Sequence, residues 1–208
     1  MADKKLSTQS DRKWQSDIIA DLIKQFGFPY IPLNPGASYR GLHDSLVNYN
    51  GDNPPMLLSQ HEKIAVQVAH GYAKACGEPL CVIVHNVVGL LHATMGVYYA
   101  YMDRAPVFII GATGPMDEGK RRPRVDWEHT AMAQGTAVRD FCKWDYQPGG
   151  IQGVPDSFAR AYSIMMTEPR GPVSMVYDAG LQEAPLIEKV ALPAKDAVKV
   201  PSRLNPEP

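Results

Sequence analysis

The chain reads as an α/β domain, with a six-stranded, mostly parallel sheet flanked by helices on both faces. Three observations predict this class. Short apolar runs alternate with segments of helical periodicity from residue 11 to residue 178. The run Leu80-Cys-Val-Ile-Val84 is apolar at every position, as suits a parallel strand buried on both faces. And 45% of the 208 residues are hydrophobic, enough for one core of ordinary domain size.

Residues 1–10 are polar and are expected to be disordered. Trp14, Ile18, Leu22 and Phe26 recur every four residues and predict a helix over 11–26, stopped at Gly27. A strand follows over 28–33, then a tight turn, Asn34-Pro-Gly-Ala-Ser38, and a helix to Asn48. Residues 56–59 make the second strand, and a helix begins near Glu62. The third strand covers 79–85, and a helix over 89–102 carries the small residues Gly89, Ala93, Gly96 and Ala100 on one stripe. A strand over 105–111 leads into a loop, 112–126, rich in Gly, Pro and charge; long ordered loops in compact domains are usually functional. A short helix over 126–134, a strand over 138–143, a helix over 155–167 and a strand over 172–177 complete the pattern. The domain is therefore set at 11–182, with 183–208, rich in X-Pro steps, as an extended linker or tail.

Composition narrows the function. A net charge of -1, from 21 basic and 22 acidic residues, gives no electrostatic case for nucleic acid or an anionic membrane as partner. No apolar run reaches spanning length. Cys76, Cys81 and Cys142 have no metal-type spacing, and their odd number points to a reducing, cytoplasmic setting.

Among motifs, Glu62 stands out as a single carboxylate heading a stripe of Ala65, Ala69 and Ala73. Ser59-x-x-Glu62 fits a capping box, in which the glutamate only reaches back to its helix start. The other reading is a buried carboxylate for proton exchange, pulled one way by burial and the other by the helix N-terminus. Gly114-x-x-x-x-Gly119-Lys120 has the frame of a phosphate loop and would make a nucleotide-binding domain. It is a poor one, because Arg121 stands where the metal-binding hydroxyl belongs and Pro123 blocks a helix. The six histidines show no HExxH pair, so no metal site is expected. His61, His85 and His92 fall at strand ends or helix starts, where parallel sheets bind ligands.

The order of these pieces resembles the pyrimidine-binding domain of thiamine-diphosphate enzymes of the acetolactate synthase and pyruvate decarboxylase type. The likeness rests on Pro35-Gly36 after the first strand, His61-Glu62 heading a helix that continues Gly71-Tyr72-Ala73, the strand from Pro106 to Gly111, and Gly171-Pro172-Val173. The family's Gly-Pro-Gly-x-x-Asn appears here as Val87-Val88-Gly89-Leu90-Leu91-His92. The resemblance implies thiamine diphosphate as cofactor, Glu62 as the catalytic group on its pyrimidine ring, and Pro35, Gly36, Val88 and Gly89 around that ring. Ala37, His61, His85 and His92 are implied on the substrate side. It also implies decarboxylation or carboligation of a 2-oxo acid or related carbonyl compound. The diphosphate and Mg2+ would be held by a domain this chain lacks, so a homodimer, a tetramer or a separate diphosphate-binding subunit is expected to complete the site. The rival expectation is a non-catalytic oligomerisation module that kept the fold and lost the chemistry.

Overall fold

A computed structural model describes residues 11–201. The expected disorder of residues 1–10 and the end of the expected tail, 202–208, lie outside the described residues.

Six strands, β1 Ile31–Leu33, β2 Met56–Leu58, β3 Leu80–Ile83, β4 Val107–Thr113, β5 Trp144–Tyr146 and β6 Val173–Asp178, form one sheet in the order β2-β1-β3-β4-β6-β5. Every pairing is parallel. Strand alternation divides the core in two. Cys81 and Ile83 point into a cluster with Ile18, Leu22, Phe26, Leu42, Phe108 and Phe158. Leu80, Val82 and Val84 point the other way, into a cluster with Val66, Ala69, Ala93 and Val97. Helices α1 (Gln15–Gln25), α2 (Arg40–Asp44) and α6 (Val154–Met166) belong to the first side, α3 (Glu62–Cys76) and α4 (Val88–Met102) to the second.

Local chemistry sets several boundaries. Helix α1 starts at Gln15 rather than at residue 11, because Asp17 Oδ2 accepts from the amides of Lys13 and Trp14. Helix α3 ends at Gly77, whose φ of 75° is the left-handed conformation that glycine adopts freely. Pro32 sits inside the central strand β1, and the β1–β3 ladder is reduced to the single pair Leu33–Ile83. Ile31 donates toward β2, to Pro55 O, so the amide that Pro32 lacks is one that would face β3.

The expected strand over 138–143 is absent. The tight turn Gln134–Ala137 leads into a second one, Arg139–Phe141, in its place, and the strand begins at Trp144. Val138 is buried under α4 while Arg139 turns out to hold Asp145 by two hydrogen bonds of 2.8 Å. The expected helix over 126–134 is the shorter α5, Val125–His129. Residues 183–201 run along the body. Gln15 and Ala184 share a hydrogen bond of 2.9 Å, as do Leu186 and Lys13, and Val190 is buried.

Helices α3 and α4 pack tightly. A Cβ on Gly96 would come within 3.1 Å of Val66 Cβ and Cγ1. Helix α4 is apolar around its whole circumference. Leu90, Ala93, Val97 and Ala100 face the sheet, while Val88, Leu91, Met95, Tyr99 and Met102 are exposed along the other side. Gly96→Val is expected to destabilise the fold by about 1–3 kcal/mol through overpacking against Val66, read as a lower urea midpoint at unchanged slope.

Candidate functional site

The sheet order dictates where a crevice opens. From β1 the chain crosses to β2 on one side, and from β3 it crosses to β4 on the other. The carboxyl ends of β1 and β3 therefore part at a topological switch point, the usual ligand crevice of such sheets. Asn34, His85 and the start of α3 meet there.

Glu62 occupies the first turn of α3 and is 4% exposed. It does not form the capping box that the spacing from Ser59 would allow. His61 is the residue that caps α3, its Nδ1 accepting from the Lys63 amide at 3.1 Å, while the Ser59 hydroxyl turns back to Leu57 O. The Glu62 side chain is thus directed across the crevice. Oε1 accepts from Asn34 Nδ2 at 3.0 Å, and Oε2 lies 3.4 Å from His92 Nδ1. Burial pushes the carboxyl up. Hydrogen bonds from its own amide, Asn34 and His92, with the charge on His92, outweigh that and hold it below its ordinary value.

Of the other expected site residues, Gly89 and His92 lie against this group, with His85 and His61 next to them. A Cβ on Gly89 would stand 3.1 Å from Glu62 Oε1 and 2.8 Å from His85 Cβ, so this position leaves no room for a side chain. A Cβ on Gly36 would meet the His85 ring at 2.6 Å. His61 stacks on His92 with ring centroids 4.8 Å apart. Pro35, Gly36 and Ala37 line a shallow pocket of about 290 Å³ with Tyr39 and Arg40. Val88 is exposed at the start of α4. It follows Val87, whose φ of 24° is strained for a β-branched residue and falls where the resembled pattern has its first glycine.

Four contributors escaped the sequence reading. Asn34 holds Glu62, and Tyr39 fixes the Asn34 backbone by donating to its carbonyl. Ser38 contacts His85. His129, from α5, places its ring 5.1 Å from that of His85. The signal for Asn34 was its place directly after a strand, at the head of the Pro-Gly turn.

Two alternatives fare less well. The 114–120 segment makes no phosphate cradle: Glu118–Lys120 is one tight turn, Lys120 Nζ lies 3.7 Å from Asp117, and Gly114 is pressed against Thr130 and Asp126. A larger cavity of about 730 Å³ lies beside that segment, lined by Asp145, Gly149 and Asp178 among others, and includes none of the residues around Glu62. Donor atoms of His61, Glu62 and His92 all lie within 4.8 Å of one another. The two imidazole planes are only 23° apart, however, so their in-plane lone pairs do not converge on one ion at ligand distance.

A family model described as thiamine pyrophosphate enzyme, N-terminal TPP binding domain, matches residues 13–137. The chain belongs to this family. Thiamine pyrophosphate is thiamine diphosphate under its other name. The acetolactate synthase large subunit of Lactococcus lactis is 29% identical over 161 residues, covering 77% of this chain and 27% of that protein. Benzoylformate decarboxylase of Pseudomonas aeruginosa is 27% identical over 131 residues, covering 62% of this chain and 24% of that protein. The crystal structure of benzoylformate decarboxylase from Polynucleobacter necessarius superposes with a TM-score of 0.73 at 24% identity, over 88% of this chain and 32% of that one, which shows the shared fold. The chain thus spans about a quarter of the length of these curated relatives. Among the described residues, no helix of this N-terminal TPP binding domain is long and apolar enough to cross a membrane.

Because the folded carboxyl of Glu62 is lowered, its ionised form stabilises the fold. That contribution is full above the ordinary glutamate value and is lost as pH falls through the depressed folded one. His92→Ala is expected to raise the Glu62 value, read by NMR titration of the side-chain carboxyl carbon, and to weaken stability on the acid side. Val87→Gly is expected to stabilise the fold by about 1 kcal/mol through relief of the positive φ, read as a higher urea midpoint.

Proposed function

We propose that this chain is the pyrimidine-binding half of a thiamine-diphosphate enzyme, acetolactate-synthase-like, that decarboxylates or carboligates a 2-oxo acid or related carbonyl compound. The observation that carries the reading is Glu62, buried yet aimed across the β1–β3 crevice instead of being folded back onto its own helix. When bound, the cofactor supplies the electron sink for this chemistry. The residues present fit its flat ring. Gly36 and Gly89 keep the crevice clear at two points where a methyl group would strike His85 or Glu62. Glu62 would hold a ring nitrogen by a hydrogen bond, with Asn34 fixing one carboxylate oxygen and His92 beside the other. Pro35, Gly36, Val88 and Gly89 would line the ring. Ala37, His61, His85 and His92 would face the substrate.

The site needs a second component. Mg2+ and the diphosphate would be bound by a separate domain, from the same longer chain or from another subunit. The exposed stripe of α4, Val88, Leu91, Met95, Tyr99 and Met102, supports an assembly, a homodimer or tetramer or a pairing with that subunit. Three free thiols support a reducing, cytoplasmic setting.

The test is Glu62→Gln, assembled with the protein that supplies the diphosphate-binding domain. Turnover is expected to fall about 10²- to 10⁴-fold, the usual worth of a positioned acid–base group, with the fold intact by circular dichroism. Full turnover would sink the proposal, and absence of thiamine-diphosphate binding in every assembly would leave the oligomerisation module in its place.

A further inference from the structure

Ser38 sits in the short turn Ala37–Tyr39 after β1 and is 2% exposed. Its Oγ accepts from the Asn86 amide at 3.0 Å and lies 2.9 Å from His85 Nδ1. A hydroxyl has one proton to give and two lone pairs to accept with. The Asn86 amide can only donate, so it occupies a lone pair. The hydroxyl proton, buried with the side chain, requires an acceptor, and His85 Nδ1 is the one at hand. Nδ1 then carries no proton, and the neutral ring bears its proton on Nε2.

Two further contacts hold the ring in place. Gly36 lies against it so closely that a Cβ there would come within 2.6 Å of Cγ and Nδ1. The His129 ring packs at 5.1 Å and 59°. The charged and titratable groups facing His85 are His129 and Glu62, from different elements. Burial, then His129, keep the imidazole below its ordinary value against the pull of Glu62, so the ring is neutral at pH 7.

We propose that Ser38 is a positioning residue, which holds His85 as the Nε2–H tautomer at the carboxyl end of β3 so that it donates a hydrogen bond to the carbonyl or carboxylate oxygen of the bound 2-oxo acid. This rests on the reading of His85 as a substrate-side group. The tautomer requires neither cofactor nor partner and is measurable on the chain alone. Ser38 therefore governs which substrate atom His85 can meet. An oxygen acceptor is favoured, and a hydrogen-bond donor at the same place is not.

Long-range 1H–15N spectra of the histidine-labelled chain test it. Wild type is expected to show His85 with an unprotonated Nδ1 and a protonated Nε2, Ser38→Ala a mixture of tautomers, and Ser38→Thr, which keeps the hydroxyl, the wild-type pattern. In the assembled enzyme, Ser38→Ala is expected to lower kcat/KM about tenfold, the loss of one neutral hydrogen bond, with Ser38→Thr restoring it. A protonated Nδ1 in wild type overturns the proposal, and that spectrum decides even if Ser38→Ala does not fold. An unchanged tautomer in Ser38→Ala, or a changed tautomer with unchanged kcat/KM, overturns it as well. Failure of the Glu62 reading is separate: full turnover in Glu62→Gln removes the cofactor role and leaves the His85 tautomer as measured.

Discussion

A buried carboxylate is the constraint on which the rest of this molecule turns. Glu62 is almost fully withdrawn from water, and a charge in that position persists only where partners replace the lost hydration. Its partners come from three places: Asn34 after β1, His92 on α4, and the amide of its own helix start. None is local in sequence apart from the last. The sheet order, with β1 and β3 adjacent and their exits diverging, is what brings the first two within reach. The small residues serve the same end, because Gly89 gives α4 its close approach to the carboxylate and Gly96 seats α4 against Val66 of α3.

Much of this was legible in the sequence. The apolar run at Leu80–Val84 gave the buried strand, and the alternation of runs gave the parallel sheet. His61-Glu62 and the Pro35-Gly36 turn marked two edges of the crevice. What could not be read was where side chains go once neighbours arrive. Ser59-x-x-Glu62 has the spacing of a capping box, but spacing says nothing about a competitor. In the fold His61 caps the helix and Asn34 draws the carboxylate away. A strand is expected over 138–143, yet the burial of Val138 beneath α4 and the Arg139–Asp145 pair move the strand to Trp144. Ser38 and His129 carry no pattern at all. Their meeting with His85 is a product of tertiary structure.

The loop after β4 repeats the same logic on a smaller scale. Asp126 is buried, accepts from the Arg122 backbone at 2.6 Å and from its guanidinium, and so folds the charged segment on itself. Burial raises its carboxyl value, but the Arg122 contacts prevail and keep it ionised. Gly114 and Thr130 then press together, and His129 is carried to the edge of the crevice. The charged segment that follows the phosphate-loop frame is a brace for one imidazole.

Helix α4 joins two properties that are usually separate. Its first turns carry Gly89 and His92 beside Glu62, and its outer side is a continuous line of exposed apolar side chains. Covering that line and filling the crevice act on one rigid rod. If what covers the line tightens occupancy of the crevice by some factor, occupancy must tighten the covering by the same factor, because binding free energies are reciprocal. A ligand in the crevice then acts as an adhesive between chains, and assembly becomes a measure of how full the crevice is.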